Sequence, residues 1–156
     1  MADSSAGCYL YLFTPPYRYF NGKPLFAFGC GLSYIQFKYA GPKLNAANFG
    51  PHGAVQLSFT LKNTGERDGD EVAQVYFRHV HSSVPQPKLA LCGFTRIHLT
   101  KGERRTVTVD IPVERFRYWD TAQKHYAVEP GKYELLVGDA SDDIRLRVPL
   151  KIAAAP

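Results

Sequence analysis

The sequence predicts an all-β fold, a sandwich of two sheets built from about seven strands. Three observations favour this fold: segments of alternating apolar and polar residues, glycine-bearing turns between them, and an abundance of tyrosine and phenylalanine. The 156 residues include ten Tyr and ten Phe, which prefer extended backbone. No long segment repeats with a helical period, so two sheets packed face to face bury the apolar residues most simply.

The chain divides into two predicted parts, residues 1–33 and residues 34–156. The first is an extended, aromatic-rich linker or docking segment, in which Pro15-Pro16 and Gly29-Cys30-Gly31 interrupt regular structure. It carries more aromatic rings than a sandwich beginning at residue 34 can bury. We therefore expect the segment to pack on its own sandwich from Tyr17 onwards, or against a second copy of the chain.

The sandwich part is a series of predicted strands separated by turn residues. Residues 55–61 alternate strictly, so Val55, Leu57, Phe59 and Leu61 should face a core. Asn63-Thr64-Gly65 and Asp68-Gly69 supply the turn before the next strand. Pro112 can begin one helical turn through Phe116, since proline at this position loses no needed hydrogen bond. The other predicted strands are 34–39, 71–78, 89–99, 105–111, 132–138 and 144–152, with a short hairpin around Trp119 and Tyr126.

Composition limits the classes of partner. The formal charge of +5 is spread along the strands among carboxylates, which predicts a mildly basic, solvated surface and no nucleic-acid partner. No run of about 18 apolar residues is present, so we expect no membrane-spanning helix and no membrane partner. Cys8, Cys30 and Cys92 show no Cys-x-x-Cys spacing, and we expect three thiols. Of these, Cys30 and Cys92 should act as small apolar residues.

Candidate acid–base and metal residues have simpler structural explanations. The carboxylate pairs Asp110/Glu114 and Asp142/Asp143 are expected to be capping or turn residues. His79 and His81 would share one face of a strand, as metal ligands can. No third ligand is evident nearby in the sequence, so we expect two exposed histidines at a strand end and no metal site.

Residues 115–119, Arg-Phe-Arg-Tyr-Trp, interleave basic and aromatic side chains. We expect Phe116 and Trp119 to pack in the sandwich or beneath the helical turn while the arginines extend to solvent. The alternative is a sugar-stacking platform, in which the rings of Tyr118, Trp119 and Tyr126 lie exposed and roughly coplanar. Single-stranded nucleic acid also stacks on such surfaces and is the least favoured ligand.

A set of motifs in a fixed order spans roughly residues 17–150. The motifs are Tyr17-Arg-Tyr-Phe20, Lys23 to Tyr34, Lys62-Asn-Thr-Gly65, Gly69-Asp-Glu-Val72, Gln74-Val-Tyr76, Gly93-Phe94, Leu99 to Glu103, and Glu129-Pro-Gly-Lys-Tyr133 with Val137-Gly138. Their order and spacing resemble the fibronectin type III-like domain that ends many family 3 glycoside hydrolases, the β-glucosidases and β-xylosidases. The chain departs from the family pattern at Ala90 and Cys92, where the family usually carries Glu and Lys.

The resemblance implies an accessory function. Family 3 enzymes are retaining glycosidases with an Asp nucleophile and a separate acid/base residue, and retention needs two carboxyl groups about 5–5.5 Å apart. In the family both residues lie upstream of this domain, and no position here matches either motif. The resemblance therefore implies a fibronectin type III-like sandwich with no catalytic residue, cofactor or metal, which stabilises or orients the catalytic domains of an enzyme that is often periplasmic or secreted.

The candidate docking residues are aromatic side chains of the N-terminal segment: Tyr17, Tyr19, Phe20, Phe26 and Phe28. A weak homodimer is a second expectation for the same segment. Two other functions remain open. One is a carbohydrate-binding module that uses Tyr118, Trp119 and Tyr126, and the other is a free-standing adhesion or assembly module.

Overall fold

The computed structural model describes residues 25–31, 35–50 and 53–154, and it confirms an all-β sandwich. A 3₁₀ turn, Val113–Phe116, interrupts the strands. The strands are β1 (Phe37–Leu44), β2 (Asn48–Phe49), β3 (Ala54–Asn63), β4 (Gly69–His79), β5 (Ala90–Leu99), β6 (Arg104–Pro112), β7 (Tyr118–Asp120), β8 (His125–Ala127), β9 (Gly131–Gly138) and β10 (Ile144–Ile152).

Two sheets form the sandwich. One has three strands in the order β1-β3-β6, and the other has five strands in the order β2-β10-β9-β4-β5. All neighbours in both sheets are antiparallel except β2, which runs parallel to β10. Strands β7 and β8 form a separate hairpin. Within the described ranges no helix is long and apolar enough to cross a bilayer.

The core lies between the two sheets and contains the side chains that the alternation in β3 predicted. Val55, Leu57, Phe59 and Leu61 are at most 1% exposed. They pack in one cluster with residues of the facing sheet, among them Val75, Leu135 and Val137. Burial of each such side chain contributes about 1.5–3 kcal/mol, so the interleaved faces account for the stability of the sandwich.

The turn after β3 is held together by a fully buried asparagine. The side-chain amide of Asn63 donates hydrogen bonds to the carbonyl oxygens of Arg67 (2.8 Å) and Leu99 (3.1 Å). Its side-chain oxygen accepts the N–H of Gly65 at 2.9 Å. One side chain thus connects the turn to the end of β5, which gives the asparagine of the Asn-Thr-Gly motif a structural role.

The two described cysteines differ in their surroundings. Cys92 is buried as predicted, its thiol lies 3.3 Å from the carbonyl oxygen of Val75, and burial raises its pKa to about 12. Cys30 is exposed, so the prediction that it packs as an apolar residue is wrong. Its N–H closes a turn on the carbonyl of Ala27 at the surface of the sandwich. Cys8 lies outside the described residues.

Candidate functional site

The backbone of residues 25–31 lies against the outer face of the five-stranded sheet. The N–H of Ser141 donates to the carbonyl oxygen of Phe28 at 2.9 Å, and Ala27 is buried. Gly29 has a φ of +84° and approaches the sheet so closely that a Cβ there would lie 2.1 Å from Nε2 of Gln74. The positive φ favours glycine at this position, and a larger residue would also have to displace the Gln74 amide.

The large apolar side chains of this segment are exposed to solvent. Phe26 is 83% exposed and Phe28 is 66% exposed, and Leu25 is almost entirely exposed. Because their backbone is attached to the sheet while the rings face solvent, the segment presents apolar surface outward. Of the five candidate docking residues, Tyr17, Tyr19 and Phe20 lie outside the described residues.

Two residues of the sheet extend this exposed apolar surface. Phe94 is 67% exposed and pairs in register with Gln74, the residue beneath Gly29. Val72 is also exposed and lies two residues from Gln74 on the same face of β4. We call the set Leu25, Phe26, Phe28, Val72 and Phe94 the apolar patch.

A β-bulge in β5 gives Phe94 and Cys92, two residues apart, different environments. The register between β4 and β5 shifts at Val75/Tyr76, so that Gly93 pairs with Val75 and Leu91 with Tyr76. Cys92 is the extra residue. Phe94 follows the alternation of the buried Ile97 and Leu99 and faces solvent, whereas the bulge places Cys92, two residues earlier, in the core.

Hydrogen bonds join several polar side chains beneath the segment. The Tyr76 hydroxyl donates to Oε1 of Gln74 at 2.6 Å, and the Gln74 amide donates to the carbonyl oxygen of Asp139. The Tyr39 hydroxyl donates to Oε1 of Glu71 at 2.6 Å. Burial raises the pKa of Glu71, and the hydrogen bond from Tyr39 opposes that rise. The Tyr39–Glu71 bond joins β1 to β4, and the Gln74–Asp139 bond joins β4 to the loop after β9.

A second cluster of exposed rings lies on the β7–β8 hairpin. Trp119 and Tyr126 face each other across the two strands with ring centres 5.1 Å apart and planes inclined by 74°. About half of each ring is exposed, and Tyr118 is half-buried. The predicted coplanar arrangement is therefore wrong, since the rings form a corner.

Phe116 and Trp119 have opposite environments although they are three residues apart. Phe116 is fully buried as predicted, in edge-to-face contact with Phe77 and Tyr133 at centroid distances of 4.8 and 5.4 Å. The predicted packing of Trp119 in the sandwich is wrong. The hairpin that carries it pairs with neither large sheet in the described structure, so the indole has no facing layer.

A groove of about 690 Å³ separates the hairpin from the loop 84–87. The guanidinium carbon of Arg117 lies 4.5 Å from the ring centre of Tyr126 and covers one face of that ring. We call this cleft the aromatic groove; its polar and aromatic lining includes Gln86, Arg115, Arg117, Tyr118, Trp119, Asp120 and Tyr126.

Glu129 holds the loop that forms the far wall of this groove. Its carboxylate accepts hydrogen bonds from the Ser82 hydroxyl (2.6 Å), the N–H and hydroxyl of Ser83 (2.8 and 2.7 Å) and the Gln86 amide (3.2 Å). Partial burial alone would raise the pKa of Glu129, but these bonds and the nearby His79 outweigh it and lower that pKa. The loop is therefore fixed by one ionised side chain.

His79 lies next to this carboxylate. The prediction that its side chain is exposed is wrong. Its Nδ1 is 3.3 Å from a Glu129 oxygen, and only 3% of its side chain is exposed. The imidazole packs against the ring of Tyr133 at 4.4 Å and over Gly131, where a Cβ would lie 2.4 Å from Nε2. His81 is exposed as predicted. In the part of the chain that the structure describes, no three His, Cys, Asp or Glu side chains are grouped to hold a metal ion.

The change Glu129→Gln is expected to lower the free energy of unfolding by about 1.5–3 kcal/mol at neutral pH, because it removes charge-assisted hydrogen bonds to the loop. The folded-state pKa of Glu129 lies below the ordinary value of 4.5. Its contribution is therefore present above that ordinary value and is lost as the pH falls through the lowered pKa. Urea unfolding at a series of pH values should show the two proteins converging in acid. Glu114→Gln, at an exposed position of the 3₁₀ turn, is the control.

Known proteins match both the sequence and this architecture. The fibronectin type III-like domain family matches residues 71–141. Thermostable β-glucosidase B of Acetivibrio thermocellus is 36% identical over 139 residues, which are 87% of this chain and 18% of that enzyme. The periplasmic β-glucosidase of Salmonella typhimurium is 40% identical over 124 residues, covering 78% of this chain and 16% of that protein.

The fold also agrees with that of a solved β-glucosidase structure. The structure of β-glucosidase 3B from Thermotoga neapolitana in complex with α-D-glucose superposes with a TM-score of 0.79 at 29% identity, over 88% of this chain and 19% of that one. The chain belongs to the fibronectin type III-like domains of glycoside hydrolase family 3.

This fibronectin type III-like domain spans less than a fifth of the length of the relatives it matches here. It is a non-catalytic accessory module of the family, and the catalytic domain of those multidomain enzymes lies elsewhere in their chains. The accessory function implied by the motifs is thereby confirmed.

Proposed function

We propose that the fibronectin type III-like domain docks through its apolar patch onto the catalytic domains of a family 3 enzyme and stabilises or orients them. One observation supports the proposal most strongly: the backbone of residues 25–31 is bound to the sandwich, while the phenylalanine rings of this segment are exposed. The backbone of Phe28 is hydrogen-bonded to the sandwich, while its ring and that of Phe26 face outward.

The exposure of three phenylalanine rings favours an interface. Phe26, Phe28 and Phe94 would each contribute about 1.5–3 kcal/mol if a partner buried them fully. Large contiguous apolar surface on a soluble domain marks an interaction site, whereas scattered single side chains do not. A domain joined to its partner in the same chain needs little additional affinity, since linkage supplies a high effective concentration.

The names of the relatives suggest the chemistry of the whole enzyme. Several of the matched proteins are named β-glucosidases or β-xylosidases, and another is named an exo-α-(1→6)-L-arabinopyranosidase. We infer that the catalytic domains served by this accessory domain hydrolyse β-linked glucosides or xylosides. In the isolated chain, the exposed patch favours weak association of two copies, because the same rings then cover one another.

The proposal is tested in a chimera in which this chain replaces the matching domain of thermostable β-glucosidase B of Acetivibrio thermocellus. In an active chimera, the triple change Phe26→Ser, Phe28→Ser and Phe94→Ser should lower the temperature of half-inactivation by several degrees. In the isolated chain, the triple change should alter the free energy of unfolding by about 0.5 kcal/mol or less, because the three rings are exposed there.

The matched control carries Trp119→Ser and Tyr126→Ser, which remove two exposed rings from the hairpin instead. If the patch variant and the hairpin variant affect the chimera equally, or if neither affects it, docking through the patch is wrong. Hydrolysis of an aryl β-glucoside by the isolated chain would contradict the accessory role itself.

A further inference from the structure

We propose that the aromatic groove binds a short, soluble, neutral oligosaccharide of β-linked glucose or xylose units, with Trp119 as the stacking surface. The choice of these sugars rests on the proposed function; the site itself is argued from the geometry of the groove. It lies on the β7–β8 hairpin, whereas the apolar patch includes β4, β5 and residues 25–31.

Trp119 supplies the stacking surface. It is half exposed at the edge of a groove of about 690 Å³, a volume suited to a small ligand. The carbon-bound hydrogens of a β-linked pyranose lie on the two faces of its ring, and these faces pack on an indole. Tyr126 stands at 74° to the indole and closes one side of the site.

The corner shape of the two rings selects the form of the sugar. A flat crystalline polysaccharide needs rings that lie in one plane, and here the planes are inclined by 74°. A soluble oligosaccharide can place one unit against the indole and turn its neighbour along the wall made by Tyr126. The geometry therefore favours short, flexible ligands over a crystalline surface.

The polar groups around the corner suit hydroxyl groups and are already held in place. Asp120 accepts the N–H groups of Ala122 (2.8 Å) and Gln123 (3.1 Å), which fixes its carboxylate. Gln86 donates to Glu129 at 3.2 Å, and Arg117 lies over Tyr126. A site whose side chains are fixed before binding loses little conformational entropy when the ligand arrives.

Single-stranded nucleic acid fits the same features less well. A stacking platform for nucleic acid uses successive free ring faces beside a basic channel. In the groove, Arg117 already covers one face of Tyr126, and Asp120 places a carboxylate beside the two arginines, Arg115 and Arg117. A neutral ligand with hydroxyl groups can hydrogen-bond both to the carboxylate of Asp120 and to the two arginines.

The test uses the whole chain and its intrinsic fluorescence. Trp119 is the only tryptophan, so a change in tryptophan emission reports on this groove alone. We expect cellotetraose and xylotetraose to give a saturable blue shift, as the sugar excludes water from the indole. The indole N–H resonance should shift in parallel in NMR titrations.

Two variants assign the binding to the groove. In calorimetric titration with the same sugars, Trp119→Ala should weaken binding at least tenfold, which is a loss of about 1.4 kcal/mol. Tyr126→Ala should weaken it less. Phe94→Ala removes an exposed ring of the apolar patch and should leave binding unchanged.

Three results would overturn the proposal: no saturable shift at millimolar sugar, tighter binding of an oligothymidylate than of either sugar, or equal losses in the Trp119→Ala and Phe94→Ala variants. Because the titration uses the isolated chain and the docking test uses a chimera with changes in a different surface, either idea can fail alone.

Discussion

Replacing Phe116 with alanine is expected to lower the free energy of unfolding by about 3–5 kcal/mol, the cost of removing a large aromatic side chain from a packed core. Phe116 is fully buried and contacts the rings of Phe77 and Tyr133 edge-to-face. Its loss removes both contacts and leaves a cavity beneath the 3₁₀ turn. Since this turn leads directly into β7, the hairpin also loses its attachment to the core.

Urea unfolding followed by circular dichroism measures this effect, with Phe94→Ala as the matched control. Phe94 is the same residue type but is 67% exposed, so its removal should change stability by about 0.5 kcal/mol or less. Equal effects of the two changes would mean that the buried Phe116 ring does not stabilise the core.

The second large effect is expected for Asn63→Asp, which should lower the free energy of unfolding by about 3 kcal/mol or more at neutral pH. The side chain keeps its shape but loses the amide that donates to the carbonyls of Arg67 and Leu99. A buried carboxylate then faces two carbonyl oxygens. Burial and these oxygens disfavour the charged form, so the pKa of the new carboxyl group should rise above its usual range.

The pH dependence identifies the cause. A raised pKa in the folded state means that the loss is greatest at high pH and shrinks as the carboxyl group takes up a proton, which it can donate to one carbonyl. Asn45→Asp is the control, because Asn45 is exposed and its amide makes only a 3.4 Å contact with the carbonyl oxygen of Ala54. If Asn63→Asp is no more destabilising than this control, the turn does not depend on the buried amide.

Local sequence patterns were sufficient to predict a strand and its buried side chains where one face of the strand lies in the core and the other faces solvent. The strict alternation of residues 55–61 gave the core side chains of β3, and the bounds of the last strand, Ile144–Ile152, match the prediction. Ten strands are described where about seven were expected. The two-residue strand β2 has no alternation to detect, because it exists only through pairing with the end of β10.

The candidate surfaces were harder to predict because they depend on tertiary structure. The burial of Cys92 two residues before the exposed Phe94 depends on a bulge in the register of β4 against β5. Trp119 is exposed because its hairpin extends beyond the sheets, and His79 is buried by Gly131 and Tyr133, more than fifty residues away in the chain. No local sequence pattern predicts the exposure or burial of these side chains.

Hydroxyl-radical footprinting of aromatic side chains tests the docking proposal most directly. The isolated chain and the active chimera would be labelled side by side, and the oxidation rates of individual rings compared by mass spectrometry. We predict strong protection of Phe26, Phe28 and Phe94 in the chimera, with Trp119 and Tyr126 oxidised at similar rates in both. Equal oxidation of the three phenylalanines in the two proteins would contradict the account.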